Sequence, residues 1–458
     1  MNRVASRSAI AILLALLLVA GMGFFVAEYI MKAKDWVMFA GSPHVYNAGN
    51  IGCGVVIDRD EYLLLDMENG RNYATSESLR KATVHWLGDR NGSVSAPALP
   101  TYAAALAGYD MVNGVYAYGD NRGVARLTLS AQAQTVALDA LGDKKGTVAV
   151  YNYETGEILC AVTTPNFDPD NVPDVENDTT GQYEGIYVNR FTQSAYIPGS
   201  IFKIVTLAAA LEEFPDAESM TFSCGSVLEL GGGKITCERS HGTQTLKEAF
   251  QNSCNCAFAE LALTIGAEKM EHYVDAFGIT APVIFDGIET EKGNYQAVGG
   301  AEVDIGWSGV GQYNDLVNPC AFLNFVGAIA NDGRETNPYL VENVLVGKTR
   351  TYTASHTSAD RIVSQKTAQT VADYMRNNVQ NKYGDENFPG LSVCAKTGTA
   401  EVGGDQKPNA MLAGFVSDSQ YPLAFVVCVE DGGYGAQVCL PIASKVLSAC
   451  VEALKNGG

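Results

Sequence analysis

The 458-residue sequence contains no His-Glu-x-x-His pattern and no Cys-x-x-Cys motif. The first absence excludes a zinc protease of the zincin type. The second leaves the eleven cysteines without the spacing of a zinc ribbon or a ferredoxin. The five histidines are scattered along the chain. The sequence therefore predicts no metal ligands and no cofactor.

Positive charge is also scarce. Lys and Arg number 31 against 51 Asp and Glu, which gives a net charge of -20. Because binding to phosphate backbones needs clustered cations, nucleic acid is excluded as a partner. Hydrophobic residues make up 47% of the chain and charged residues 18%. This is an ordinary globular composition, so the chain can bury a large core and extended disorder is excluded.

One long segment without charge lies near the N-terminus, at residues 9–27. As a helix it would span about 28 Å, close to the hydrocarbon thickness of a bilayer. It is longer than the apolar part of a secretory signal, and no clear cleavage site follows it. We expect an uncleaved signal anchor preceded by a short cytoplasmic tail at residues 1–8, with a cleaved signal peptide as the alternative.

The texture of the sequence changes at Gly146. Residues 28–145 contain short apolar runs and frequent glycine, and we interpret them as a small juxtamembrane module. Two apolar segments then flank the turn sequence ending at Gly156, which predicts a β-hairpin. Three more strands are predicted near the C-terminus, before a last helix at 442–454. We therefore expect an α+β domain at 146–458, with helices flanking an antiparallel sheet.

Lys203 is the first residue whose position indicates chemistry. It lies in the apolar segment 200–211, which predicts a buried helix beginning at Ser200. Burial lowers the pKa of a lysine, and a neutral lysine can accept a proton from the serine one turn earlier. Ser78 and Lys81 have the same spacing, but their polar surroundings indicate a solvated helix face.

Ser253, Cys254 and Asn255 form a second short motif. A hydroxyl and an amide two residues apart can face the same side of a turn, where one relays protons and the other orients a substrate carbonyl. The pair Cys254 and Cys256 also raises the question of a metal site. No partner ligands cluster near them in the sequence, so we do not expect one.

The third motif is Lys396-Thr397-Gly398-Thr399, at the end of an apolar stretch. In a strand, Lys396 and Gly398 share one face and the two threonines the other. The missing side chain at Gly398 would let a ligand backbone approach. The cation and the hydroxyls suit a substrate carboxylate.

These three motifs, in this order, resemble the signature of the class B penicillin-binding proteins, in the penicillin-binding transpeptidase family. The resemblance is strong over about residues 125–455. It implies a serine transpeptidase/β-lactamase-like fold and a peptidoglycan D,D-transpeptidase that crosslinks stem peptides through a serine acyl-enzyme and is inhibited by β-lactams. It also implies a membrane protein with its catalytic domain outside the cytoplasm, and a partner among the SEDS-class glycan polymerases.

The resemblance assigns a role to each motif residue. Ser200 would be the nucleophile, Lys203 its base and Ser253 the proton relay to the leaving group. Asn255 would complete the catalytic set, and the residues of the third motif would bind substrate, with Lys396 and Thr399 on the terminal carboxylate. The substrate-binding residues are Lys396, Thr397, Gly398 and Thr399.

Other functions share parts of this pattern. A D,D-carboxypeptidase uses the same chemistry with water as acceptor. A β-lactam-binding sensor or scaffold would bind without turnover, and a class D β-lactamase also has the first and third motifs. The segment Gly231–Lys234 is a poor nucleotide-binding loop, since Ile235 stands where Ser or Thr is needed. It is better explained as a hairpin tip that could bring Cys224 and Cys237 together as a disulfide.

Overall fold

The structure is a computed structural model that describes residues 2–39, 41–47, 50–68, 70–115, 122–355, 358–403 and 406–456. Its α-helices are α1 Asn2–Val37, α2 Glu77–Leu87, α3 Ala98–Thr101, α4 Ala103–Leu106, α5 Ala131–Leu141, α6 Arg190–Gln193, α7 Lys203–Glu213, α8 Leu246–Asn252, α9 Asn255–Ile265, α10 Ala267–Ala276, α11 Glu302–Val310, α12 Pro319–Ala330, α13 Gln365–Asn378 and α14 Gly435–Asn456.

Its strands before residue 300 are β1 Tyr46–Asn47, β2 Asn50–Ile51, β3 Val55–Ile57, β4 Leu63–Asp66, β5 Asn72–Tyr73, β6 Gly123–Leu127, β7 Gly146–Asn152, β8 Ile158–Thr164, β9 Thr221–Cys224, β10 Val227–Leu230, β11 Gly233–Thr236, β12 Gly242–Thr245, β13 Ile284–Phe285 and β14 Ile288–Glu289. The later strands are β15 Arg334–Thr336, β16 Val341–Val346, β17 Thr349–Thr353, β18 Ser358–Arg361, β19 Val393–Ala400, β20 Asn409–Val416 and β21 Leu423–Val429.

Helix α1 contains the predicted apolar segment and extends beyond it on both sides. Its side chains are largely exposed, and the helix is long and apolar enough to cross a membrane. This suggests a membrane anchor. Helix α14 also meets the criteria of length and hydropathy, but it packs against the main sheet, where Val446 and Leu447 are fully buried. It is a core helix of the globular domain.

The main sheet has the strand order β19-β20-β21-β7-β8, and every neighbouring pair is antiparallel. Strand β21 shows how it is buried on both faces. Phe425 and Val427 pack into the apolar cluster formed with α5 and α14, while Val426 and Cys428 face the cluster on the other side. Helices thus flank an antiparallel sheet, which confirms the predicted α+β fold.

Local sequence signals locate several elements correctly. Helix α5 begins after Ser130, whose hydroxyl accepts a hydrogen bond from the backbone N–H of Ala133 at 3.3 Å. The hairpin predicted around Gly156 is β7 and β8. The hairpin predicted at the triglycine is β10 and β11. In each case the cap or turn residue lies within a few positions of the helix or strand whose end it determines.

The helix expected to begin at Ser200 is different. Ser200 lies in a 3₁₀ turn over Gly199–Ile201, and α7 begins only at Lys203. Gly199 has a φ of 53°, a left-handed conformation that an α-helix does not contain. The α-helix therefore cannot begin at Gly199. The serine is therefore presented on a tight turn immediately before the helix.

A second sheet has the order β17-β16-β6-β3-β4-β5. Strands β3 to β6 come from the predicted juxtamembrane module, whereas β16 and β17 come from residues 341–353, far inside the predicted catalytic domain. Strand β16 pairs antiparallel with β6, and β3 pairs parallel with β6. The two predicted units therefore share a sheet, and the boundary at residue 145 stays a prediction.

Candidate active site

The turn that carries Ser200 is fixed by two close backbone contacts. The N–H of Gly199 donates to the carbonyl of Gly311 at 2.8 Å. A Cβ at Gly199 would lie 2.6 Å from the carbonyl oxygen of Thr399 in β19. Because Gly199 leaves no room for a side chain, the turn lies directly against the edge of the main sheet. Ser200 itself is half-buried at this junction.

Gly398 contributes to the same junction in a way that the sequence argument did not anticipate. A Cβ at Gly398 would lie 3.0 Å from the carbonyl oxygen of Pro198 and 3.1 Å from the backbone nitrogen of Ile201. The sequence argument expected a ligand in the space that a side chain at Gly398 would fill, and this is wrong. The turn carrying Ser200 occupies that space, and the absence of a side chain at Gly398 lets the turn pack closely against β19.

Lys203 lies at the centre of the site. Its Nζ is 3.0 Å from Ser200 Oγ, 3.2 Å from Ser253 Oγ, 2.8 Å from the Ser253 carbonyl oxygen and 2.7 Å from Asn255 Oδ1. The side chain is fully buried. One amine thus joins the first two sequence motifs, which lie about 50 residues apart in the chain.

These partners can accommodate a neutral amine. The Ser253 carbonyl and Asn255 Oδ1 can only accept, so they occupy the two N–H groups of a neutral lysine. The remaining lone pair is then left for a hydroxyl proton. Burial lowers the pKa of Lys203 to about 7, with a smaller contribution from Lys382, and nearby cysteines act in the opposite direction. The amine is therefore available as a base near neutral pH.

Ser253 connects the two buried lysines. It ends helix α8 in the left-handed conformation, with a φ of 56°, and so turns the chain sharply before α9. Its Oγ lies 3.2 Å from Lys203 Nζ and 2.9 Å from Lys396 Nζ. A hydroxyl between two amines can receive a proton on one side and release one on the other.

Lys396 reaches this hydroxyl from β19 and also donates to the carbonyl of Thr397 at 2.8 Å. Its side chain is 1% exposed. Burial, and then the neighbouring Lys203 and Lys382, lower the pKa of Lys396 well below its ordinary value. We call Ser200, Lys203, Ser253, Asn255 and Lys396 the lysine cluster. The structure brings all three predicted motifs into it.

The side chain of Asn255 is held at both ends. Its Oδ1 accepts from Lys203, and its Nδ2 donates to the carbonyl of Thr236 at 2.8 Å. This pairing fixes the orientation of the amide. Nδ2 carries a second N–H, so the group can position the lysine and still offer a donor to a substrate carbonyl.

Tyr383 is a site residue that the sequence argument missed. Its Oη accepts from the N–H of Thr397 at 3.1 Å and lies 3.0 Å from Thr397 Oγ1. Strand β19 is an edge strand, so this contact shows which backbone groups face the open edge. Thr399, two residues further on, points its N–H the same way. No motif surrounds Tyr383, and only the fold brings it to β19.

A second cluster of side chains adjoins the first. Cys224, Cys237, His241 and Cys254 place one ligand atom each within 4.8 Å of one another. We call these four residues the thiol cluster. All eleven cysteines, each within the described part of the chain, are free thiols. The cluster overturns the expectation that no partner ligands lie near Cys254. Cys224 and Cys237 lie close together, as predicted, but as separate thiols and not as a disulfide.

Strand pairing shows how Cys224 reaches the thiol cluster. The glycine turn joins β10 to β11, but Cys224 belongs to β9, whose antiparallel partner is β12. Cys224 therefore pairs with Gly242 rather than facing Cys237 across one hairpin. Cys237 Sγ lies 3.8 Å from the Sγ of Cys254.

Comparison with known proteins defines the class to which this fold and site belong. Residues 146–448 match the penicillin binding protein transpeptidase domain family. A relative from Mycolicibacterium smegmatis, the peptidoglycan D,D-transpeptidase PbpA, is 30% identical over 354 residues, covering 71% of this chain and 72% of the relative. Stage V sporulation protein D of Bacillus subtilis is 28% identical, covering 70% of this chain and 52% of the relative.

Solved structures agree. The D,D-transpeptidase domain of a peptidoglycan glycosyltransferase from Eggerthella lenta superposes with a TM-score of 0.75 at 26% identity, covering 88% of this chain and 98% of that one. A ceftriaxone acyl-enzyme of penicillin-binding protein A from Mycobacterium tuberculosis gives a TM-score of 0.76 at 24% identity, covering 87% and 98%. The chain belongs to the penicillin-binding transpeptidase family and is a class B penicillin-binding protein, a serine-type D,D-transpeptidase.

Proposed function

We propose that this protein crosslinks peptidoglycan stem peptides by a two-step acyl transfer centred on the lysine cluster. The observation that carries the proposal is the position of Lys203 Nζ, within 3.2 Å of both Ser200 Oγ and Ser253 Oγ. A buried amine between two hydroxyls can take a proton from one and pass it towards the other. Acyl transfer through a serine needs these two proton movements.

In the first step, Ser200 Oγ attacks the carbonyl carbon of the penultimate D-alanine while Lys203 takes the hydroxyl proton. The carbonyl oxygen becomes negative and is stabilised by the backbone N–H groups of Ser200 and Thr399. The direction of the Thr399 N–H, inferred from the contact between Thr397 and Tyr383, supports this location. The terminal D-alanine leaves with a proton relayed through Ser253.

In the second step, an amine of a neighbouring stem peptide attacks the acyl-enzyme and Ser200 recovers its proton. Lys396 and Thr399 hold the carboxylate of the terminal D-alanine before it leaves, because they border the edge of β19 where that group would lie. Thr397 supports this edge through Tyr383 instead of binding the carboxylate through its hydroxyl. Asn255 holds Lys203 in place and offers its second N–H to the peptide. A β-lactam mimics the donor and traps the first acyl-enzyme.

The proposed reaction also indicates where the protein is located and which partner it needs. We place the catalytic domain outside the cytoplasm, tethered by α1 as a single-pass anchor in the cell membrane, because its substrate is assembled there. A SEDS-class glycan polymerase in the membrane, which would supply the glycan strands, is the partner we propose. Protease added to cells stripped of their outer layers should digest the domain. Its full protection beside a protected cytosolic control would contradict this topology.

The full-length protein in detergent can be tested with a thioester mimic of the stem peptide in the presence of a D-amino-acid acceptor. Mass spectrometry should detect an acyl-enzyme followed by the aminolysis product, and Ser200→Ala should form neither. Release by water alone, with the acceptor ignored, would instead make the protein a D,D-carboxypeptidase. Rapid steady-state hydrolysis of a chromogenic cephalosporin would indicate a β-lactamase.

A further inference from the structure

The thiol cluster draws its four side chains from separate places in the chain. Cys224 ends β9, Cys237 follows β11, His241 precedes β12 and Cys254 precedes α9. Cys224 and Cys254 are buried, while Cys237 and His241 are half-buried. One side of the cluster is thus closed by protein, and the other gives an ion a path from solvent.

The distances fit a tetrahedral metal site. With Zn–S bonds of about 2.3 Å and a Zn–N bond of about 2.05 Å, tetrahedral angles require about 3.8 Å between two sulfurs and about 3.6 Å between sulfur and nitrogen. Cys237 Sγ and Cys254 Sγ are 3.8 Å apart, and Cys237 Sγ lies 3.5 Å from His241 Nδ1. All four ligand atoms fall within 4.8 Å, so small movements would close the site.

The surroundings of the cluster also suit metal-bound thiolates. The backbone N–H of Asn255 donates to Cys237 Sγ at 3.3 Å, a contact of the kind that orients a metal ligand. The ligands tie together two small sheets, β9 with β12 and β10 with β11, each of two four-residue strands. Two-stranded sheets of this size are marginally stable alone, so a metal ion would hold them against α9.

We propose that Cys224, Cys237, His241 and Cys254 bind one structural Zn²⁺ ion. Binding forms three Zn–S bonds and one Zn–N bond, through Nδ1 of a neutral imidazole, and releases the three thiol protons to solvent. Three thiolates and a histidine fill the four positions of a closed structural site, which leaves none for substrate. The ion takes no part in acyl transfer itself.

The site nevertheless acts on the lysine cluster through the chain. Cys254 lies between Ser253 and Asn255, both of which contact Lys203 Nζ. Fixing Cys254 on a metal ion fixes the turn that carries these two groups. Loss of the ion therefore slows acylation by misplacing Ser253 and Asn255. This consequence rests on the proposed function, whereas metal binding does not.

Metal content provides the direct test. The full-length protein, expressed with zinc and purified under reducing conditions, should hold about one Zn²⁺ per chain by elemental analysis. Alkylation of the native protein followed by peptide mapping should then leave the half-buried Cys237 unmodified until a chelator is added, whereas the half-buried Cys53 should react throughout. Zinc well below stoichiometry, with the thiols of the cluster free or joined as a disulfide, would overturn the proposal whatever the enzymatic activity.

Two substitutions at the half-buried His241 separate metal loss from general damage. His241→Ala should reduce zinc occupancy, and His241→Cys should keep it, since a thiolate replaces the imidazole. Cys53→Ser, at a half-buried thiol outside the cluster, should keep both zinc and acylation. Acylation by a fluorescent penicillin should fall about 10-fold or more in His241→Ala. Equal zinc in His241→Ala and wild type would contradict the assignment.

Discussion

The lysine cluster and the thiol cluster meet at Ser253–Asn255 but differ in how their groups are satisfied. In the lysine cluster, carbonyl, amide and hydroxyl oxygens lie within hydrogen-bonding distance of both amines. In the thiol cluster, the main neighbours are sulfur atoms, which are weak donors and acceptors. The first cluster is thus complete in its own hydrogen bonds, whereas the second gains most from an added cation. Changes in the lysine cluster should alter the acylation rate and leave zinc content unchanged. Changes in the thiol cluster should alter both the acylation rate and the zinc content.

The largest effect is expected for Lys203→Arg. A guanidinium keeps the positive charge but does not deprotonate near neutral pH, so Ser200 loses its base. The rate of acylation by benzylpenicillin, measured by rapid mixing and mass spectrometry, should fall by about 10³-fold. Lys247→Arg, on the exposed face of α8, is the matched control and should react at the wild-type rate. Zinc content should be unchanged in both, and near-normal acylation by Lys203→Arg would rule out the base role.

The pH dependence of acylation tests the same group without a mutation. Because the pKa of Lys203 is lowered to about 7, the amine is neutral above that pH and protonated below it. The acylation rate should therefore rise about tenfold per pH unit up to neutrality and then level off. A rate that keeps rising to pH 10 would mean that the reactive amine has an ordinary lysine pKa.

Gly199→Ala should damage the lysine cluster by displacing Ser200. The new Cβ would lie 2.6 Å from the Thr399 carbonyl oxygen, in addition to the cost of the left-handed backbone. Gly347→Ala is a matched control, since Gly347 has a similar φ of 58° but nothing within 4 Å of its Cβ. We expect Gly199→Ala to lower stability by about 1–3 kcal/mol more than the control, measured by urea unfolding. Equal losses in the two variants would show that the contact with β19 is unimportant.

The smallest effect is expected for Tyr383→Phe. The change removes the hydroxyl that accepts a hydrogen bond from the Thr397 N–H and lies beside the Thr397 hydroxyl. The hydrogen bonding that holds β19 in position should weaken by about 1 kcal/mol. Acylation should slow several-fold while Lys203 keeps its pH dependence. Tyr434→Phe is the control, because Tyr434 is 61% exposed. A rate equal to wild type would remove Tyr383 from the site.

The sequence predicted the lysine cluster better than the thiol cluster, for a physical reason. Ser200 and Lys203 lie three residues apart, in a 3₁₀ turn and the helix that follows it, and Lys396 and Gly398 share one face of a strand. Local geometry therefore fixes the relation within each pair. Cys224 and Cys254 meet only because β9 pairs with β12 and α8 then returns the chain. Such a contact depends on strand order, which spacing does not encode.

The same distinction applies to the fold. The antiparallel main sheet and the hairpin around Gly156 follow from short, continuous apolar segments and turn signals. The pairing of β6 with β16 joins residues more than 200 positions apart, and nothing local to either strand specifies it. The exact start of α7 depended on the contact between Gly199 and Thr399, which is also tertiary. Sequence patterns thus located elements and motifs, and packing between distant segments decided the rest.

The most direct test of the central claim is to map the penicillin adduct. After brief treatment of the full-length protein with benzylpenicillin, trypsin should release the peptide 191–203 with one added penicilloyl group. Fragmentation should place that group on Ser200, and Ser200→Ala should carry none. An adduct on Ser78 or Ser253, or one retained in Ser200→Ala, would contradict the assignment of Ser200 as the nucleophile activated by Lys203.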